Sequence, residues 1–165
     1  IYKRIDLKRE ISFIKDIMAF FRAIQILKEV KPNIVNASTP KAGLIFMLAS
    51  FFVKDTYPIF TLRGIRSDSL SGFKGKIVWF MEYLTCSFAK KIIVISHSLR
   101  DHAVESSIVN KSKTIVIGKG SSNGVNISKL IKTKKTIELG LKFRKENNIL
   151  EDAFVFGFIG RVVEG

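Results

Sequence analysis

The chain has 165 residues, of which 47% are hydrophobic, and a formal net charge of +14. This composition excludes a disordered chain, and the length allows one core or one domain with part of a second. The excess of positive charge indicates an anionic partner, namely nucleic acid, membrane phosphate or a phosphorylated substrate. Alternatively, the acidic complement of a soluble domain lies outside this chain. The single cysteine, Cys86, excludes a disulfide framework and a cysteine-based zinc site.

Apolar residues three and four apart predict a first helix over residues 7–29. One face of this helix would carry Ile11, Ile14, Met18, Phe21, Ile24 and Leu27. The other face is also apolar, so the helix is either covered on both faces by other parts of the protein or lies on an apolar surface. Charged residues within 11–30 argue against a transmembrane helix.

Strands and helices then alternate along the chain. Pro32 and Asn33 end the first helix, and "NIVNAS" is a short strand. In the helix "TPKAGLIFMLASFFV", Thr39 is a candidate cap and Pro40 fits the first helical position. The strand "YPIFTLRG" ends at Gly64. The next helix, "GFKGKIVWFMEYLTCSFAKK", shares one apolar side among Phe73, Ile77, Phe80, Met81, Leu84 and Phe88.

The second half continues the alternation. The buried strand "KIIVIS" precedes a helix that Ser96 can cap, and "KTIVIGKGSSNGV" is a strand running into a glycine- and serine-rich loop. A basic helix, "TKKTIELGLKFRKENNI", and a last strand, "AFVFGFIGRVV", complete the chain. This order predicts an α/β fold with a parallel sheet and right-handed crossovers. In such sheets, ligands bind beyond the carboxyl ends of the strands.

Basic residues beside glycines mark three of the five predicted strand ends. In "FTLRGIRSDSLSG", Arg63 and Arg66 can form a fork around a phosphate. Alternatively, Arg63 pairs with Asp68 and only shapes the loop. In "STPKAG", hydroxyl groups and a lysine stand at a helix start, where an anion is favoured, although ordinary capping explains them equally well.

The loop "GKGSSNGV" is typical of phosphate- and sugar-contacting loops, but it lacks the Walker pattern and also fits a flexible hinge. His97 and His102 are interpreted as solvent-facing or capping residues, because no ligand-type residues stand near them at metal spacing. The residues provide no nucleophile elbow and no zinc motif.

Together these segments resemble the retaining GT-B glycosyltransferases of family four. The similarity is to the bacterial branch that builds capsular polysaccharide, O-antigen and other lipid-linked glycans. It covers the chain from about Asn33 onward and is carried most specifically by "TPKAG", "GKGSSNGV" and "GFIGRV" in that order. The resemblance implies two Rossmann-like domains facing across a cleft. Residues 1–126 would be the acceptor-binding domain, incomplete at its start, and residues 127–165 the linker, a helix and the first strand of a truncated donor-binding domain.

The resemblance also implies the residues of the site. The candidate acceptor-binding residues are Ser38, Thr39, Lys41, Gly43, Arg63, Gly64 and Arg66. The candidate donor and cleft residues are Gly120, Ser121, Ser122, Asn123, Gly124, Gly160 and Arg161, with Arg161 as the catalytic, pyrophosphate-contacting arginine. Many relatives carry a histidine where this chain has Arg63, so Arg63 is assigned to an acceptor phosphate instead. No metal and no cofactor is expected.

The implied reaction transfers a sugar from a nucleotide-sugar to a polyprenyl-diphosphate-linked or polysaccharide acceptor. It would occur in the cytoplasm, with the protein peripheral on the anionic inner face of the plasma membrane. We expect the chain to be part of a longer protein and inactive alone, because the family's lysine and glutamate-rich donor motifs would follow Gly165.

Two alternatives come from other functional classes. A basic nucleic-acid-binding module would explain the charge, but most of the aromatic residues are phenylalanines in apolar runs rather than interleaved with arginines, so no nucleic acid is expected. A Rossmann-like module that binds a nucleotide without chemistry is the other. No GxGxxG sequence follows a predicted strand, which argues against it.

Overall fold

The computed structural model of the chain describes residues 3–5, 7 and 12–160. The chain divides into two compact units, Ile1–Asn123 and Gly124–Gly165. The division falls three residues before the boundary predicted between residues 126 and 127. The functional roles assigned to the two parts remain predictions.

The first unit is built on a four-stranded parallel sheet. Its strands, in the order in which they pair, are β1 Ile34–Ala37, β2 Tyr57–Leu62, β3 Lys91–Val94 and β4 Thr114–Ile115. The connecting helices are α2 Pro40–Phe51, α3 Gly72–Phe88 and α4 His97–Glu105. The predicted α/β fold with a parallel, Rossmann-like sheet is therefore confirmed. Each strand lies beside its sequence neighbour, so all four carboxyl ends lie along one edge.

The strands alternate between a buried and a half-exposed face. On the buried face, the core contains Val35, Phe60, Leu62, Ile92 and Val94. The strand predicted to be buried, β3, is therefore fully buried only at every second residue. This alternation fixes the register, since a shift by one residue would turn the apolar set away from the core.

The first helix, α1, spans Phe13–Val30 and packs against α2. Its buried residues are Ala19, Ala23, Ile26 and Leu27. Of the apolar face predicted from the periodicity, Leu27 is buried, Ile14, Met18 and Phe21 are exposed, and Ile11 lies outside the described residues. Small alanine side chains let the two helix backbones approach closely, so the larger apolar residues of the first half lie outward.

Helix α3 also exposes large apolar residues. Its buried residues are Gly75, Glu82, Thr85 and Cys86. Of the side predicted to be apolar, Phe73, Ile77 and Phe80 are exposed. The buried residues again include small side chains, and Thr85 Cγ2 would lie 3.0 Å from a Cβ atom at Gly43 of α2.

The second unit contains a 3-10 turn, Ile127–Leu130, and helix α5, Lys134–Glu146. Thr133 and Thr136 form a reciprocal capping box at the start of α5. The predicted last strand was wrong for residues 153–160, which form no strand. A strand requires a neighbour to complete its hydrogen bonds, and the described part of this unit contains no other strand. None of the described helices is long and apolar enough to cross a bilayer.

Candidate functional site

The candidate site lies where the loops after β2, β3 and β4 meet at the carboxyl edge of the sheet. Leu62 pairs with Val94, so Arg63 follows directly beside the start of the loop that leads into α4. Arg63 Nη2 also lies 3.5 Å from Asn123 Oδ1, which brings together two residues predicted from segments 60 residues apart. The register of a parallel sheet places these loops side by side, as the strand-end rule predicts.

The two arginines of the loop at residues 63–69, called the arginine loop below, are open to solvent. Arg63 makes only the long hydrogen bond to Asn123, and within the described residues the Arg66 guanidinium has no hydrogen-bond or ion-pair partner. Asp68 binds His102 Nε2 at 2.9 Å, so the alternative in which Asp68 pairs with Arg63 is wrong. His102 is exposed to solvent, as predicted, and in addition pairs with Asp68. The arginines therefore retain most of their donors for a ligand.

The glycine- and serine-rich loop approaches the end of β3 closely. Gly120 has a φ of +84°, and a Cβ atom there would lie 2.5 Å from the carbonyl oxygen of Ile95. Its N–H donates to the carbonyl of Ile117 at 3.0 Å. Only glycine combines this left-handed conformation with this contact. The neighbouring Ser121 and Ser122 are exposed, and Ser122 Oγ lies 3.5 Å from Asn123 Oδ1.

The start of α2 makes more contacts with the rest of the protein than the sequence predicts. Lys41 Nζ lies 2.7 Å from Asp16 Oδ1 of α1, and both side chains are largely buried. Pro40 occupies the first helical turn as predicted, but the Thr39 side chain makes no capping hydrogen bond, so that expectation was wrong. Gly43 is buried, and a Cβ atom there would lie 2.5 Å from the Phe60 ring. This segment therefore joins α1, α2 and β2, and of its predicted residues Lys41 and Gly43 have structural contacts.

A buried carboxylate that the sequence reasoning missed supports the arginine loop. Glu82 of α3 is 6% exposed. Its Oε1 accepts from the Arg66 N–H at 2.7 Å, and its Oε2 accepts from the Ser67 N–H at 3.3 Å and the Ser67 hydroxyl at 2.7 Å. The available signal was that Glu82 is the only acidic residue of this apolar helix. An isolated carboxylate on a buried face needs hydrogen-bond donors.

Ser96 caps α4 as predicted, since its Oγ accepts from the Leu99 N–H at 3.1 Å. Cys86 lies one turn after Glu82 and is buried. Burial, with a smaller contribution from the Glu82 carboxylate, raises the pKa of the Cys86 thiol to about 12, while Lys113 opposes this shift. The thiol is therefore protonated at neutral pH and behaves as a small core residue. Within the described ranges, no group of three histidine, cysteine or acidic side chains is placed to hold a metal ion.

The remaining predicted residues lie elsewhere. Gly64 is exposed between the two arginines, and Ser38 is half-buried after β1. Gly124 and Gly160 belong to the second unit, and Arg161 lies outside the described residues. The structure therefore brings together the candidates after β2 and β4, and it does not describe the candidate catalytic arginine.

Comparisons with known proteins identify relatives over the whole chain. Residues 4–128 match the Glycosyltransferase Family 4 description. The capsular polysaccharide biosynthesis glycosyltransferase CapM of Staphylococcus aureus is 36% identical over 160 residues, covering 97% of this chain and 41% of CapM. UDP-Gal:alpha-D-GlcNAc-diphosphoundecaprenol alpha-1,3-galactosyltransferase of Escherichia coli is 24% identical, covering 93% of this chain and 38% of that enzyme. The chain thus spans about two fifths of the length of these relatives.

Solved structures share the fold. Alr3699/HepE of Anabaena, crystallised with UDP and glucose, superimposes with a TM-score of 0.61 at 17% identity, over 85% of this chain and 35% of that protein. A glycosyltransferase from Rickettsia africae superimposes with a TM-score of 0.57 at 16% identity, over 89% of this chain and 36% of that protein. At these identities the similarity establishes the fold alone.

Proposed function

Because this chain belongs to Glycosyltransferase Family 4, we propose that it forms the acceptor-binding part of an enzyme that builds bacterial surface glycans. The enzyme would transfer a sugar from a nucleotide-sugar to a lipid-linked or polysaccharide acceptor. Residues 1–126 would bind the acceptor, and residues 127–165 would begin the donor-binding part. Two relatives support this direction: one is named for capsular polysaccharide biosynthesis and the other for a diphosphoundecaprenol acceptor.

The observation that carries the proposal is the contact of Arg63 with Asn123 at the carboxyl edge of the sheet, with Arg66 exposed on the same loop as Arg63. The described residues place no carboxylate against either guanidinium, and the single bond from Arg63 to Asn123 is long at 3.5 Å. An incoming diphosphate that accepts hydrogen bonds from the two guanidinium groups would therefore displace only this one long hydrogen bond. A guanidinium binds phosphate oxygens bidentately, and each charge-assisted hydrogen bond contributes roughly 1.5–3 kcal/mol.

Arg161 is the proposed contact to the donor pyrophosphate, by resemblance to the family. Charge stabilisation on the departing nucleotide diphosphate is the main catalytic effect expected of such a site. Gly120, Ser121 and Ser122 would line the cleft beside Asn123. Ser38 and Thr39 remain candidates for acceptor contact, whereas Lys41 would have to leave Asp16 to reach an anion.

The experiment measures equilibrium binding of geranyl diphosphate, a soluble isoprenoid diphosphate, to the purified chain by calorimetry. We expect saturable binding that Arg63→Ala weakens about ten- to a hundredfold, since one charge-assisted contact is lost. Arg63→Lys should restore only part of the affinity, because a point charge does not reproduce a planar fork. Arg22→Ala is the matched control, since it removes the same charge from an exposed position on α1. Equal losses in Arg63→Ala and Arg22→Ala would show non-specific attraction and refute the site.

We further propose that the protein docks peripherally on the anionic cytoplasmic face of the plasma membrane. The first half of α1 exposes Phe13, Ile14, Ile17, Met18 and Phe21. Lys15 and Arg22 lie on the same stretch of helix and are exposed. Apolar side chains interspersed with cations complement an anionic bilayer, where each surface cation contributes about 1 kcal/mol. A lipid-linked acceptor would also be presented at such a surface.

Liposome flotation tests the membrane proposal. Vesicles of phosphatidylcholine with phosphatidylglycerol should bind the chain at low salt, vesicles of phosphatidylcholine alone should bind it weakly, and high salt should release it. The double variant Phe13→Ser/Ile17→Ser should lose binding. The control Phe154→Ser/Phe156→Ser changes two exposed aromatic side chains outside α1 and should retain it. Equal flotation with both lipid compositions, or concentration-dependent dimerisation abolished by the α1 variant, would refute the docking.

A further inference from the structure

We propose that Glu82 is a positioning residue for acceptor binding: its buried carboxylate holds the arginine loop in the conformation that binds an anion. This inference rests on the proposed function of Arg63 and Arg66. It extends that proposal to a residue in the middle of a different element, α3.

The contacts of Glu82 are directed at the loop backbone. Both carboxylate oxygens are used, one by the Arg66 N–H and the other by the N–H and hydroxyl of Ser67. These N–H groups stand at the start of the 3-10 turn Ser67–Ser69, where backbone donors have no partner within the turn itself. Glu82 therefore caps this turn from 15 to 16 residues away in the chain.

A carboxylate is the only side-chain group of this size that suits all three donors. An ionised carboxylate accepts at both oxygens, whereas an amide presents one oxygen and an NH2 group. In Glu82→Gln, one of the two loop N–H groups would face another donor. Since Glu82 is 6% exposed, water would not readily replace the missing acceptor.

The contact fixes Arg66 through its own backbone. Ile65 is also buried, so the arginine loop is held at Ile65, Arg66 and Ser67, while Gly64 and the arginine side chains stay exposed. The Asp68–His102 pair is a second link at 2.9 Å, but both of its side chains are about half exposed. The buried contact is the stronger of the two restraints, since exposed pairs contribute little.

The direction in which Glu82→Gln changes the affinity for diphosphate distinguishes a positioning role from a purely electrostatic one. Glu82 is negative and lies beside a site proposed to bind an anion. If charge alone mattered, Glu82→Gln would tighten diphosphate binding, because it removes a repulsive charge. If Glu82 positions the loop, the same substitution weakens binding, because the arginines lose their fixed placement before the ligand arrives.

Amide hydrogen exchange and geranyl diphosphate binding test this on the whole chain. In Glu82→Gln we expect exchange at the Arg66 and Ser67 amides to rise about ten- to a hundredfold, as a charge-assisted hydrogen bond is lost. Exchange at the Ile92 and Val94 amides in β3 should not change, and geranyl diphosphate affinity should fall about tenfold. The control Glu105→Gln removes the same charge from an exposed position on α4 and should leave both readouts unchanged.

A milder variant covers the case in which Glu82→Gln does not fold. Ser67→Ala removes only the hydroxyl donor, and we expect a loss of diphosphate affinity of a fewfold, with faster exchange at Ser67. Faster exchange with unchanged or tighter binding would overturn the positioning role and leave the arginine site intact. Unchanged exchange in Glu82→Gln would overturn the anchoring itself. If the wild-type chain binds no geranyl diphosphate while its Arg66 amide is protected, the proposed function fails and the positioning role fails with it.

Discussion

Gly43 provides the sharpest test of packing at the start of α2. A Cβ atom at this position would lie 2.5 Å from Phe60 Cε2 and 3.0 Å from Thr85 Cγ2, closer than real Cβ atoms approach other atoms in the first case. The Phe60 ring is 5% exposed in the centre of the sheet, so it has little room to move. Gly43→Ala should therefore introduce packing strain of about 1–3 kcal/mol. Alanine regains about 1 kcal/mol over glycine inside a helix, so strain at the upper end of this range leaves a net loss of about 2 kcal/mol.

Urea denaturation followed by tryptophan fluorescence measures this loss. We expect the midpoint of Gly43→Ala to fall with an unchanged slope, and its melting temperature to fall by about 2–4 °C per kcal/mol. Gly64→Ala is the matched control, because a Cβ atom there meets nothing within 4 Å. Its stability should change by about 0.5 kcal/mol or less. A Gly43→Ala protein as stable as the wild type, with weakened geranyl diphosphate binding, would refute the packing role and favour the acceptor contact predicted from the sequence.

Three further outcomes follow from buried contacts. A double-mutant cycle of Asp16→Asn and Lys41→Met should show a coupling of about 0.5–1 kcal/mol in the free energy of unfolding, and zero coupling would show that this ion pair contributes nothing to stability. The stabilisation from the neutral Cys86 thiol is complete below its ordinary pKa of 9.0 and is lost as the pH rises toward about 12, with a slope of at most about 1.4 kcal/mol per pH unit. Cys86→Ala should remove this slope in urea titrations between pH 9 and 11, and an identical slope in both proteins would contradict it. Gly75→Ala should destabilise the protein by at least about 1 kcal/mol in the same assay. The new Cβ atom would lie 2.6 Å from the Leu70 carbonyl oxygen, so the backbone would have to move. An unchanged urea midpoint would show that α3 shifts freely at this position.

The sequence predicts the elements of the first unit well because their signals are local. Pro32 and the left-handed Lys31 end α1, and Ser96 caps α4 through its own hydroxyl. The last predicted strand failed for a different reason. Phe154 and Phe156 satisfy every local preference for a strand, but a strand exists only when a neighbour accepts its hydrogen bonds.

The buried faces of α1 and α3 could not be identified from periodicity, because periodicity is dominated by the large apolar residues. In α1 the buried residues include Ala19 and Ala23, and in α3 they include Gly75 and Thr85. A helix face made of small side chains has low hydrophobicity in sequence but permits close packing of the backbones. The sequence alone does not say which of two apolar faces has the complementary neighbour.

In the candidate site, too, residues with a local sequence signal were predicted and a residue with only long-range contacts was missed. Arg63 and Asn123 were predicted from loops at strand ends, and the sheet register brings them together. Glu82 was missed because its partners, Arg66 and Ser67, lie 16 and 15 residues earlier in the chain and donate mainly through their backbone. Every residue except proline has a backbone N–H donor, so the residue type does not indicate such a contact. It can be recognised only in the three-dimensional structure.

The placement of the acidic residues explains how the arginine loop keeps its positive charge available. Glu82 uses both oxygens on backbone and hydroxyl donors, and Asp68 is engaged by His102. The carboxylate within the loop and the carboxylate that contacts its backbone are thus engaged by groups other than the guanidinium groups. With a chain charge of +14, little else competes for Arg63 and Arg66, so a diphosphate would meet an arginine loop whose backbone is anchored and whose guanidinium groups are only weakly engaged.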